Sequence, residues 1–152
     1  MTEYAEINLR AETILPLLAT AIAVQRQRGN SPVALLLEDQ PLISIDVEME
    51  LLDAGFSVFD VMSCQHAHAW LDQGIPDVVI VDVELRDGIC ADVAERLRKA
   101  RIPFVVYSAD QPSMHVGTPF AHGAWVSKPA LPGELIRAAW DAVAISSKPS
   151  FV

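Results

Sequence analysis

Basic charge is scarce in this chain. Eleven Lys and Arg stand against 20 Asp and Glu in 152 residues, a formal net charge of -9 at pH 7. No run of consecutive Lys or Arg interrupts that acidity, so the sequence carries no footprint for nucleic acid or an anionic membrane surface. A protein or a cationic ligand is the better match. Cysteine is scarcer still: Cys64 and Cys90 are the only two, too few for a disulfide framework or a four-ligand zinc site. Both fall in apolar helical patterns and read as reduced thiols of a cytoplasmic protein. Long apolar runs are also lacking. The longest near the start, Ile14 to Val24, carries Pro16 and is shorter than the roughly 20 residues a bilayer-spanning helix needs. Glu3, Glu6 and Glu12 precede it with only Arg10 to oppose them, unlike the basic opening of a secretory signal. Neither a membrane segment nor an export segment is expected.

What the chain does have is apolar residues, 51% of the total against 20% charged, enough for the core of one domain of ordinary size. From Val33 onward, short apolar runs alternate with longer amphipathic stretches. The runs are VALLL (33–37), FSVFDV (56–61), DVVIVD (77–82), PFVVYS (103–108) and AWVS (124–127). Five such strands, each separated by room for a helix, predict a parallel sheet covered on both faces, an α/β doubly wound domain.

The predicted helices differ in clarity. Between Ile89 and Ala100, Cys90, Val93, Ala94 and Leu97 share one helical face. From Leu131 to Ile145, Leu135, Ala138, Ala139, Ala142 and Val143 repeat that pattern, with Pro132 suited to the first turn. ISIDVEMEL after Pro41 alternates as a strand would, yet Leu42, Ile45, Met49 and Leu52 sit at helical spacing, Pro41 can open a helix and Gly55 can close it. Helix is the reading adopted. Residues 111–123, QPSMHVGTPFAHG, hold two prolines and two glycines, at about 3 and 1 kcal/mol each in a helix interior. An irregular connection is expected there.

Residues 1–31 stand outside the alternation. Thr13 can cap a helix whose stripe is Ile14, Leu17, Leu18, Ala21 and Ile22, ended by Gly29. Periodicity leaves open whether this extension packs on its own domain, pairs with a second copy as a homodimer, or docks another protein. The organisation expected is a helical extension (1–31), the α/β domain (32–146) and a short tail (147–152).

Polar residues collect at one end of the predicted strands. Glu38 and Asp39 follow the first, Asp82 ends the third, Ser108 ends the fourth, and Lys128-Pro129 follows the fifth. In an open parallel sheet, ligands bind outside the carboxyl ends of the strands. Carboxylates gathered there repel one another unless a cation intervenes, and an all-oxygen donor set suits Mg²⁺ better than zinc. Lys128 adds a fixed charge for a phosphoryl group, and Ser108 a hydroxyl donor. The combination fits phosphate chemistry at a carboxylate.

The series LLLEDQ, IVDVEL, VVYSAD and VSKPA, each at the end of a predicted strand, resembles the response-regulator receiver domain of two-component signalling, the family of the chemotaxis regulator. The likeness runs from Pro32 to about Ile145. It implies a flavodoxin-like five-stranded sheet in the order 2-1-3-4-5. It also implies Asp82 as phosphoacceptor, and Mg²⁺ held by Asp39, by Glu38 largely through water, by Asp82 and by the backbone carbonyl of Glu84. Lys128 would pair with the phosphoryl group, Ser108 would move toward it, and Pro129 would follow a cis bond. Trp125 stands where the family usually has Tyr or Phe as a rotameric switch. Glu84 adds negative charge near the phosphoryl site. The irregular 111–123 segment and IPFVVYSA resemble a group of stand-alone alphaproteobacterial receivers with the motif Pro-Phe-x-Phe-Ala-Thr-Gly.

The function this implies is a single-domain response regulator in a phosphorelay, a phosphoacceptor signalling protein rather than an enzyme. It would take its phosphoryl group from a histidine kinase or phosphotransfer protein and act on an unknown downstream protein in the cytoplasm. Since only SSKPSFV follows Ile145, output through protein contacts, or a role as phosphate relay or sink, is expected. The alternative is a receiver-shaped interaction module independent of phosphorylation. A haloacid-dehalogenase-type phosphohydrolase would need Asp-x-Asp on the first strand; here Glu38 and Asp39 come first, and Asp82-Val83-Glu84 lacks the second Asp. His66 and His68 lie two apart and do not face each other on a helix. His115 and His122 have no evident acidic or cysteine partner, so neither receives a ligand role. Trp70 and Trp140 read as packing residues.

Overall fold

The five predicted apolar runs form one parallel sheet. In the computed structural model, which describes residues 31–146, the strands are β1 (Val33–Leu37), β2 (Ser57–Val61), β3 (Val78–Val81), β6 (Phe104–Ser108) and β7 (Ala124–Ser127), in the order β2-β1-β3-β6-β7. A short antiparallel hairpin, β4 (Glu84–Leu85) and β5 (Gly88–Ile89), follows β3. Strand order and fold class agree with the sequence reading. The predicted helix within residues 1–31 and the tail after 146 lie outside the described residues.

Side chains alternate between the two faces of the sheet. Leu35, Leu37, Val79, Val81 and Val106 bury on one face against α2 (Cys64–Leu71) and α3 (Ala91–Ala100). Ala34, Leu36, Val78, Ile80 and Val105 bury on the other against α1 (Pro41–Asp53) and α4 (Glu134–Ser146). Burial on both faces is why these strands are continuous apolar runs. Among the described residues, no helix is long and apolar enough to cross a membrane.

The segment after Pro41 is helical, with Pro41 in the first turn and Gly55 beyond the end at φ 97°, a left-handed position that favours glycine. Its buried stripe is Ser44, Val47 and Leu51. The expected stripe is therefore corrected: Leu42 is 80% and Ile45 53% exposed. The apolar residues of ISIDVEMEL cover more than one face of the helix, and the contacts of the sheet select among them. α4 starts at Glu134 rather than Leu131, because Gly133 takes φ 79° and breaks the helical path. Residues 112–122 form two short 3-10 turns, Pro112–His115 and Pro119–His122, each opened by its proline. No regular helix connects β6 to β7, as the composition predicts.

The cysteines require a correction. Cys64 and Cys90 form a disulfide, with Cα atoms 5.6 Å apart, and are not reduced thiols. The apolar pattern put Cys90 inside a helix, but α3 begins at Ala91 and Cys90 is its cap. Cys64 opens α2, so the bond ties together the first turns of two neighbouring helices. Asp87, in the turn of the β4–β5 hairpin, reinforces the same junction: its carboxylate accepts from the amides of Cys64 at 2.8 Å and Gln65 at 3.0 Å. These two bonds, that from Cys64 foremost, hold the Asp87 carboxyl below the ordinary aspartate range.

An acidic cleft at the carboxyl ends of the strands

Strand register alone brings the predicted residues together. Leu37 is level with Val81 across β1 and β3, so Glu38 and Asp39 emerge beside Asp82. Ser108 is level with Ser127 across β6 and β7, so Lys128 emerges beside Ser108. The Lys128 amide donates to the Ser108 carbonyl at 2.9 Å, and the Asp82 amide to the Leu37 carbonyl at 3.1 Å, fixing both junctions.

Lys128 is the hub. Its Nζ donates to Glu38 Oε2 at 2.8 Å and to Asp82 Oδ2 at 2.9 Å, and its side chain is only 13% exposed. Burial alone would pull this ammonium down. The hydrogen bonds and charges of Asp82 and Glu38 together outweigh it and leave the group above the ordinary lysine value. Glu38 is fully buried and uses its other oxygen, Oε1, to accept the Gln40 amide at 3.1 Å. A carboxylate removed from water is tolerated when so paired. The peptide bond from Lys128 to Pro129 is cis, as the resemblance implied.

Carboxylate oxygens of Glu38, Asp39 and Asp82 lie within 4.8 Å of one another. Asp39 has no hydrogen-bond or ion-pair partner among the described residues, and Lys128 leaves Asp82 Oδ1 free. Three acids against one ammonium leave excess negative charge, and the donor atoms on offer are all oxygen. This set fits a hard divalent cation. The cleft measures about 360 Å³ and is lined by Asp39, Asp82, Glu84, Ser108, Asp110 and Lys128, among others.

Ser108 is buried, and its Oγ accepts the Asp110 amide at 3.1 Å, leaving the hydroxyl hydrogen free to donate. Glu84 is exposed on the cleft wall. Trp125 does not line the cleft: its indole packs against the core on the α2–α3 side and donates to the Asp110 carbonyl at 3.2 Å. Sequence reasoning missed two residues. Asp110 lines the cleft, and its Oδ2 lies 2.8 Å from His115 Nε2, so His115 does have an acidic partner. The pair was present in the sequence as an Asp and a His five apart, but spacing defines contact only on a regular element, and this segment is irregular.

The receiver domain of PhyR from Erythrobacter litoralis superposes with a TM-score of 0.69 at 22% identity, covering 80% of this chain and 97% of that one. A receiver domain of a Pseudomonas aeruginosa sensor histidine kinase, with a magnesium ion coordinated in its active-site cleft, superposes with a TM-score of 0.67 at 20% identity, covering 75% and 98%. The fold is that of a response-regulator receiver domain. In sequence, the transcriptional regulatory protein PhoP of Escherichia coli K12 is 31% identical over 77 residues, which are 49% of this chain and 34% of PhoP. The chain thus spans about a third of the length of the curated relative it matches. No family model matches the chain. The Pseudomonas domain coordinates its magnesium in its active-site cleft; in this chain the three acids converge in the cleft at the carboxyl ends of the strands.

Proposed function

We propose that this chain acts as a response-regulator receiver that accepts a phosphoryl group on Asp82. The observation that carries this reading is the convergence of Asp82, Asp39 and Glu38 around Lys128 in one open cleft. Asp82 offers the oxygen that Lys128 leaves free. That oxygen attacks the phosphorus of a phosphohistidine or small acyl phosphate, the bond to the donor breaks, and an aspartyl phosphate results. Lys128, already fixed between Glu38 and Asp82, meets the added negative charge. Ser108 donates its hydroxyl hydrogen to a phosphoryl oxygen.

Mg²⁺ fits this donor set and, when bound, supplies positive charge against the phosphoryl oxygens. Asp39 would hold it with its free carboxylate, Asp82 with the carboxylate oxygen that does not attack, Glu38 more remotely since both its oxygens are engaged, and Glu84 through its backbone carbonyl. A histidine kinase or phosphotransfer protein in the cytoplasm would supply the phosphoryl group, and another protein would read the result. The protein acts on no substrate of its own beyond its own phosphorylation and dephosphorylation. The irregular 112–122 connection supports placing it with the alphaproteobacterial stand-alone receivers.

The test is to incubate the full chain with Mg²⁺ and acetyl phosphate and follow intact mass. One phosphoryl adduct that needs Mg²⁺ and is absent from Asp82→Asn is expected. If no adduct forms and Mg²⁺ with beryllofluoride does not bind either, the protein is a receiver-shaped interaction module instead.

A further inference from the structure

Asp110 makes three separate bonds, one from each of its polar groups. Its amide donates to Ser108 Oγ at 3.1 Å, its carbonyl accepts from Trp125 Nε1 at 3.2 Å, and its carboxylate meets His115 Nε2 at 2.8 Å. His115 is anchored in turn. Its ring stacks on Trp125 at 5.5 Å and 28°, meets the buried Phe120 edge-on at 5.5 Å, and its side chain is 12% exposed. Its carbonyl accepts from Thr118 Oγ1 at 2.7 Å. A shift of Ser108 therefore strains a line of contacts that ends in the core.

We propose that His115 is a positioning residue: through Asp110 it holds Ser108 and Trp125 in the arrangement they take beside unphosphorylated Asp82, as a latch that a phosphoryl group on Asp82 must release. The inference rests on the phosphoacceptor reading. It assigns to the β6–β7 connection a regulatory contact made by residues outside the cleft chemistry. A group that stabilises only the unphosphorylated arrangement opposes phosphorylation, and binding of a phosphoryl mimic, by its differential contribution. Removing it therefore tightens binding, whereas general damage to the cleft weakens it.

The experiment is titration of the full chain with beryllofluoride in saturating Mg²⁺, followed by fluorine NMR, with the Trp125 indole N–H resonance recorded alongside. His115→Ala and Asp110→Ala are each expected to bind about three- to ten-fold more tightly, the range expected from losing one hydrogen bond. The double variant should gain no more than either single one, because both remove the same contact. His115→Gln, whose amide can still donate to Asp110, should stay near wild type, and the Trp125 resonance should move in the two alanine variants. Equal or weaker binding in both alanine variants overturns the latch while leaving the phosphoacceptor reading intact. Failure of the wild type itself to bind beryllofluoride overturns both.

Discussion

Glu38, Asp39, Asp82 and Lys128 reach the cleft directly from strand ends, whereas the hydroxyl of Ser108, which itself ends β6, is also bonded to a loop whose contacts run out of the cleft into the core. The first group is placed by register: once Leu37 pairs with Val81, the next residues have no freedom to miss one another. The second depends on two 3-10 turns, a histidine wedged between aromatic rings and one aspartate bonded three ways. A sheet locates its groups rigidly, and a loop can exchange one set of contacts for another. The charged groups proposed to meet the phosphoryl group thus sit on the rigid side, and the hydroxyl proposed to respond to it is bonded to the adaptable side.

Removing Lys128 should break the rigid side most severely. Lys128→Ala leaves buried Glu38 without its cation beside Asp82, and taking one partner from a buried pair costs about 3 kcal/mol or more. Urea unfolding should show that loss, together with loss of the acetyl phosphate adduct. The cross-link between α2 and α3 is next. It closes a loop with a sequence separation of 26 residues, so Cys64→Ser with Cys90→Ser, or a dithiol reductant, should cost roughly 3 kcal/mol. A thiol titration before and after reduction would check that the bond was present. It matters because disulfides are rare in the reducing cytoplasm.

On the adaptable side, Gly123 lies where a Cβ would overlap the ring of buried Phe104 and sit 3.0 Å from its carbonyl oxygen. Gly123→Ala should destabilise by about 1–3 kcal/mol through overpacking. It should also shift the Trp125 resonance, since both residues enter β7 from the same loop. The smallest effect concerns Asp87. Because its carboxyl is held below the ordinary aspartate value in the folded state, its contribution is present above that ordinary value and is lost as pH falls through the folded one. Asp87→Asn should lower stability slightly at neutral pH, where the contribution is fully present, and flatten the acid limb of the stability profile.

The same contrast explains what could be read from the sequence. The central strands β1, β3 and β6 are buried on both faces and so are continuous apolar runs, legible in the sequence together with the polar residues at their ends. The face of α1 was not, since Leu42, Ile45, Val47 and Leu51 are all apolar and only the neighbouring sheet decides which are buried. The disulfide was hidden because the hairpin that brings Cys90 to Cys64 is only two residues long on each strand, and the helix that follows begins one residue beyond Cys90. Asp110 and His115 escaped because they meet across an irregular turn, where no periodicity relates sequence distance to contact.

The central claim is that the oxygen of one aspartate takes the phosphoryl group, and chemical mapping tests it most directly. The full chain would be treated with Mg²⁺ and acetyl phosphate, reduced with borohydride, which converts an aspartyl phosphate to homoserine, and then digested for peptide sequencing by mass spectrometry. The account predicts homoserine at position 82 and nowhere else. Homoserine at Asp39 or another acid, with Asp82 unchanged while an adduct forms, would contradict it.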